Sequence, residues 1–146
     1  MVPRAHGSRG TTDLMTEIDT SVLEAAGRTL DLTRPTAPIL SGILGHVDDH
    51  DGAREPVRAL LSGPPSGSHL CVNDGSRGTD PAYERAQDAY NETGAVPYSL
   101  RPVEQIEGCF EGLELVPPGA VSVPMRRPDE TPPLPIGRHG GIGRKP

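Results

Sequence analysis

The 146-residue chain carries 20 acidic and 14 basic residues, a net charge of −6, so it lacks the basic face that a nucleic-acid backbone requires. Hydrophobic residues make up only 34% and aromatic residues 3%, with no Trp and one Phe, which leaves room for a single domain with a thin core. Gly (18) and Pro (17) together account for about a quarter of the chain, a level at which loops take a large share.

Residues 1–13 are polar, rich in Gly and Arg, and predict a disordered segment. They contain no apolar h-region, so no signal peptide is expected, and no apolar run approaches the ~20 residues that span a bilayer. Thr16 to Leu30 has helical spacing, with Ile18, Val22, Leu23, Ala26 and Leu30 on one face and Thr16 as the cap. After Arg34-Pro35-Thr36-Ala37-Pro38, the run Ile39 to Val47 is apolar without alternation. That pattern predicts a strand buried on both sides, as in a parallel sheet.

The segment that ends this run, Gly45-His46-Val47-Asp48-Asp49-His50-Asp51, concentrates two histidines and three aspartates. His46 and His50 would share a face only on a helix, which Gly45 and the turn residues oppose, and no EF-hand spacing follows, so no metal site is expected. Ala53 to Leu61 predicts a helix with Val57, Leu60 and Leu61 inward and Pro56 in its first turn.

Ser68 to Asn73 predicts a second short strand, followed by a glycine-containing loop from Asp74 to Asp80. Pro81 to Thr93 is the best-marked helix: Asp80 caps it, Pro81 fits its first position and Gly94 stops it, with Ala82, Ala86, Ala89 and Tyr90 as its apolar line. A helical unit begins near Ser99 to Pro102 and carries Val103, Ile106, Cys109 and Phe110. Leu113 to Val116 and Val121 to Pro124 alternate apolar and polar residues and predict an antiparallel pair across Pro117-Pro118-Gly119. Residues 130–146 predict a disordered Pro/Gly/Arg tail, with Arg138, Arg144 and Lys145 solvated. Cys71 and Cys109 sit among apolar neighbours and read as free buried thiols, which suits a reducing cytoplasm.

Alternating strands and helices predict an α/β fold with a parallel sheet and an antiparallel edge. Three stretches carry a family resemblance: "LDLTRPTAPILSGILGHVDD" (residues 30–49), "GPPSGSHLCVNDGSRGTDPAYERAQDAYNETG" (63–94) and "RPVEQIEGCFEGLELVPPGAVSVPMRRPD" (101–129). They resemble the fourth strand, the fifth strand with its helix, and the closing elements of Rossmann-like class I S-adenosylmethionine-dependent methyltransferases, in particular an actinobacterial family formerly known as a domain of unknown function. The phrase F-x-G-L-E-L-V-x-P-G-x-V at Phe110 to Val121 is the most specific piece.

The resemblance implies the C-terminal half of that fold over residues 14–129, with S-adenosylmethionine as cofactor and Ile43, Leu44, Gly45 and His46 lining its crevice. The family usually shows Leu-His at the positions of Leu44-Gly45, so Gly45 departs from its pattern. The glycine-rich cofactor turn and the ribose-binding acid of the family would lie upstream of every stretch quoted. The chain is accordingly expected to be a truncated form, inactive in isolation.

Two readings stand for His46, cofactor contact or a polar strand end, and two for Asn73, Asp74 and Arg77, a substrate-facing end of strand or a solvated loop. Two also stand for the chain: a methyltransferase, or a non-enzymatic remnant or binding module that self-associates through the open edge of the strand beginning at Ile39. Neither nucleic acid nor membrane is an expected partner.

Overall fold

One strand, β2, organises the sheet. The computed structural model of the protein describes residues 20–129, 131 and 133–146. Thr16 and the segment 1–13 lie outside the described residues. In chain order the elements are α1 (Thr20–Ala26), β1 (Ile39–Ser41), α2 (His50–Ser62), β2 (His69–Arg77), α3 (Pro81–Glu92), β3 (Arg101–Pro102), α4 (Val103–Glu107), β4 (Glu114–Leu115), β5 (Val121–Ser122) and β6 (Arg138–Arg144). Short 3-10 turns occupy Leu44–His46, Gly108–Phe110 and Val123–Met125. β1 and β3 pair parallel with β2, β6 pairs antiparallel with it, and β4 and β5 pair antiparallel with β6. The fold is thus α/β with a mixed sheet whose final strands are antiparallel, in the order β1-β2-β6-β4.

The core is small and continuous. Leu70 and Val72 of β2 are 0% and 1% exposed, and they pack with Leu40, Leu44, Cys109, Phe110 and the α2 face made by Ala53, Val57 and Leu60. α2 begins at His50 because Asp49 caps it, its Oδ2 accepting from the Gly52 amide at 2.8 Å. Both cysteines are free thiols, Cys109 buried and Cys71 half-buried.

Several expectations are corrected. The strand expected over Ile39 to Val47 covers only Ile39–Ser41. Gly42 then turns at φ 65°, and Leu44–His46 coil into a 3-10 turn. β2 runs four residues beyond Asn73, so Asp74 and Arg77 belong to a strand rather than a loop. Pro56 sits inside α2 instead of in its first turn, because the cap lies further upstream than its apolar face suggested. The two strands after α4 do not pair with each other; both pair with β6. In α3 the alanines and Tyr90 face solvent, while Tyr83, Glu84, Gln87 and Asn91 are half-buried.

The largest correction is the tail. Residues 138–144 are a strand lying between β2 and β4, where disorder was expected. Glycine weakens a strand in isolation, and this segment owes its structure to tertiary pairing and close packing. A Cβ on Gly140 would fall 2.4 Å from the Val72 carbonyl oxygen, and one on Gly143 would fall 2.9 Å from the Phe110 and Leu113 rims. The end of the chain is also pinned: Lys145, the only lysine, donates through Nζ to the Leu61 and Pro64 carbonyls at 2.7 and 2.8 Å, at the C-terminus of α2.

Deleting residues 137–146 is therefore expected to abolish the cooperative thermal transition in circular dichroism, since it opens the sheet of a domain stabilised by only about 5–15 kcal/mol. A truncated protein that melts like the full chain would show β6 to be dispensable.

Candidate functional site

The side chains of β2 alternate, so Leu70, Val72, Asp74 and Ser76 share one face. That row starts apolar in the core and ends as a carboxylate at the C-terminal end of the parallel strands, where ligands bind in open α/β sheets. Asp74 is 2% exposed. Its Oδ1 accepts from the Tyr98 hydroxyl at 2.5 Å and from the Gly45 amide at 3.2 Å, while Oδ2 is buried without a hydrogen-bond partner. The Tyr98 hydroxyl oxygen in turn accepts from the Gly75 amide at 2.9 Å.

Around this acid stand two arginines. Arg101, 4% exposed, donates to the Leu44 carbonyl at 2.6 Å and to the Val47 carbonyl, closing the 3-10 turn from below. Arg138, delivered by β6, donates through Nε to Asn73 Oδ1 at 2.9 Å, the same oxygen that accepts from Ser41 Oγ at 3.1 Å. One position along β6, His139 Nδ1 lies 2.6 Å from Ser76 Oγ, and burial holds its pKa below the usual imidazole value.

Two further contacts fix the loop after α3. Asn91 holds the Tyr98 main chain from both sides, its Nδ2 donating to the Tyr98 carbonyl and its Oδ1 accepting from the Tyr98 amide, each at 3.0 Å. Close packing does the rest. A Cβ on Gly45 would stand 2.3 Å from Tyr98 Cζ, one on Gly75 would stand 3.0 Å from Tyr98 Cε1, and one on Gly137 would stand 2.5 Å from Tyr83 Cδ1. These three glycines are the flat surfaces on which two tyrosine rings rest.

The four residues expected to line a cofactor crevice are separated by the turn they form. Ile43 is half-buried and faces an apolar groove of about 400 Å3 between α1, β1 and Leu60. Leu44, 2% exposed, belongs to the core. Gly45 lies under the Tyr98 ring, its amide donated to Asp74 and its carbonyl accepting from the Ser99 amide at 2.7 Å. His46 faces the opposite side, its Nδ1 2.9 Å from the Pro97 carbonyl oxygen and its ring at right angles to Tyr98 with centroids 5.2 Å apart.

The aspartates that follow have structural tasks: Asp48 accepts from Ser99 Oγ at 2.7 Å and Asp49 caps α2. Among the described residues no three His, Cys, Asp or Glu side chains gather as a metal site. In the sequence Tyr90 and Tyr98 read as helix-packing residues and Arg138 as part of a solvated tail, and Arg101 is assigned no site role. The available signal was the rarity of aromatics, which makes three tyrosines within sixteen positions conspicuous.

A mixed sheet with an antiparallel β6, and buried polar residues gathered at the carboxyl ends of its parallel strands, is an open α/β arrangement of Rossmann-like kind. Residues 8–146 match the model of a family described as S-adenosyl methyltransferase, and the chain belongs to that family. It is similar in structure to a DUF574 family protein from Streptomyces avermitilis MA-4680, with a TM-score of 0.81 and 37% identity over 90% of this chain and 53% of the other. It is also similar to a candidate methyltransferase from Thermobifida fusca YX, with a TM-score of 0.75 and 28% identity over 90% of this chain and 51% of that one. An O-methyltransferase family 2 protein from Planctomyces limnophilus shares the fold at 20% identity and a TM-score of 0.53. The chain thus spans about half the length of the solved relatives it most resembles among these. No curated protein matches it. The family match runs through β6 to the last residue, well beyond the boundary expected at residue 129.

Burial pushes the Asp74 carboxyl above its ordinary range, against the opposing pull of the Tyr98 hydroxyl, the Gly45 amide and the two arginines. The native state then holds this proton more tightly than the unfolded chain does. The stabilisation is full below the unfolded value near pH 4 and is lost as pH rises through the raised native value. Asn at this position keeps the neutral form at every pH. The melting temperature of Asp74→Asn relative to wild type is expected to climb as pH increases from about 4 toward neutrality. Parallel melting curves for the two proteins across that range would contradict a raised Asp74.

Proposed function

We propose that the chain takes part in methyl transfer from S-adenosylmethionine at the carboxyl ends of β1 and β2. The observation that supports this reading most strongly is the family match over residues 8–146. S-Adenosylmethionine supplies a methyl group already activated by its sulfonium sulfur, so the protein's task is alignment and exclusion of water.

Of the four residues of the 43–46 turn, two keep a side chain free for that task. Ile43 would offer an apolar wall to the cofactor and His46 a polar edge. Leu44 and Gly45 support them from behind: Leu44 anchors the turn in the core, and the Gly45 amide ties it to Asp74. Neither backbone group of Gly45 is left for a ligand, because its carbonyl accepts from Ser99. Arg101 fixes the same turn through the Leu44 and Val47 carbonyls. Turn and tyrosine loop are thereby set before any ligand arrives, which lowers the ordering cost of binding.

Titrating S-adenosylmethionine into the purified chain by calorimetry is expected to give saturable heat together with a raised melting temperature. No heat and no thermal shift would count against cofactor binding by this chain. The cytoplasm is the compartment we propose, supported by the two free thiols. Among the described residues no helix is long and apolar enough to cross a membrane.

A second reading, association through a strand edge, is favoured by one feature. Among the described residues β1 pairs only with β2, and Ile39 on it is 65% exposed beside the apolar groove. Open strand edges invite pairing with another chain, and a lysine on the edge opposes it. Sedimentation velocity is expected to show concentration-dependent dimerisation that Ile39→Lys removes. Identical, monomeric profiles for both proteins would discard this reading.

A further inference from the structure

The chain has three tyrosines, and all three line one cavity of about 240 Å3, together with His46, Gln87 and Arg138. We propose that this cavity binds a small planar anion: a single aromatic ring bearing a carboxylate or a comparable acidic group, held between the tyrosines with its charge on Arg138. The assignment concerns binding, rests on the cavity, and stands independently of the methyl-transfer reading.

The first support comes from α3. An amphipathic helix ordinarily turns its aliphatic side to the protein. Here no residue of the helix is fully buried, its alanines face water, and the half-buried residues are Tyr83, Glu84, Gln87 and Asn91; Glu84 is engaged by the Gly78 amide and Arg77 outside the cavity lining, which Tyr83, Gln87 and the more exposed Tyr90 share. Residues three and four apart share one helix face, so this stripe brings two of the three rings to the cavity. A helix arranged in this way lines a space rather than fills a core.

The second support is the orientation of Tyr98. Its hydroxyl is turned away to Asp74 and Gly75, and its ring meets His46 edge-on. The cavity therefore meets the ring of Tyr98, with the hydroxyl committed elsewhere. Offset or edge-to-face stacking with a planar ligand is the interaction such rings offer.

The third support is charge. Aromatic rings attract cations as well as planar rings, so tyrosines alone would leave the sign of the ligand open. Arg138 decides it. Nε is engaged by Asn73, and the Nη atoms make no hydrogen bond among the described residues, while the side chain stands in the cavity lining. With Nε on Asn73 and Nη2 beside Gly42, the guanidinium still repels a cation and keeps unbonded Nη donors for a carboxylate. Asp74, whose carboxyl feels the Arg138 charge, is not part of the lining, and burial favours its neutral form; its Oδ1 is engaged by Tyr98 and Gly45, and its Oδ2 is buried without a partner. The volume sets the size: drug-sized ligands occupy about 300–1,000 Å3, so a cavity somewhat smaller suits a single substituted ring.

The test is calorimetric titration of the full chain with 4-hydroxybenzoate, in the absence of S-adenosylmethionine, with phenol and trimethylphenylammonium as neutral and cationic controls. Saturable binding of 4-hydroxybenzoate is expected, with weaker binding of phenol and none of the cation. Arg138→Gln is expected to weaken 4-hydroxybenzoate about tenfold or more, the scale of a lost charge-assisted hydrogen bond, and to leave phenol unchanged.

Because Arg138 also contacts Asn73, Tyr90→Ala serves as a second variant. Tyr90 is 53% exposed, so its removal spares the fold, and it is expected to weaken both ring-bearing ligands several-fold. Failure of 4-hydroxybenzoate to bind, tighter binding of the cation, or affinity unchanged in both variants would each overturn the assignment. Because the cofactor is titrated separately, failure here and failure of the methyl-transfer reading are told apart.

Discussion

The arrangement at the end of the sheet depends on one buried carboxylate. Asp74 is placed by the alternation of β2, two positions after Val72 on the same face, so the strand's own geometry carries a polar group into a site otherwise suited to an aliphatic one. Burying an acid is costly unless its oxygens are bonded, and Oδ1 takes two donors from two different loops. One donor is the Gly45 amide in the turn after β1, and the other is the Tyr98 hydroxyl in the loop after α3. A single side chain thus fixes the distance between the two loops that border the cavity. Arg101 reinforces the link by donating from β3 to the carbonyls of that turn.

This economy explains where the glycines fall. A chain with so few large side chains cannot fill space around a tyrosine by surrounding it with other rings. Instead it brings backbone against the ring face. Gly45 and Gly75 lie against Tyr98, and Gly137 lies against Tyr83. Any side chain at Gly45 would displace Tyr98 and with it the hydroxyl that satisfies Asp74.

The parts of the fold that are local in origin were legible in the sequence. Asp80, Pro81 and Gly94 mark α3 because cap, first-turn proline and stop residue each act within a turn of the helix, and Asp80 Oδ1 does accept from the Ala82 and Tyr83 amides at 3.0 and 3.1 Å. Leu70 and Val72 announced their strand by apolar character. The illegible parts depend on partners distant in sequence. β6 is glycine-rich and becomes a strand only because β2 and Phe110 leave no room for side chains. Leu44–His46 looked like a continuation of β1, but Gly42 at positive φ ends the strand, and Arg101, over fifty residues away, holds the turn that follows. Tyr98 reads from the sequence as a packing residue because nothing near it in the chain reveals the carboxylate it meets. Sequence reasoning thus named the 43–46 turn, but not the tyrosines and arginines that the fold packs around it.

The 43–46 turn has a consequence that its separate residues do not suggest. Ile43 faces an apolar groove on one side and His46 faces the tyrosine cavity on the other, and between them Leu44 and Gly45 are immobilised in the core and under a ring. The turn is a partition with a rigid middle and two different surfaces. A ligand pressing on Ile43 can reach the cavity only by moving Gly45, which is bonded to Asp74 and Ser99 and has the Tyr98 ring against it. Packed elements respond to such pressure by holding or by switching, since close-packed interiors do not deform smoothly. With its backbone groups bonded and its side chains seated, this partition is built to hold, so the two surfaces stay at a fixed separation.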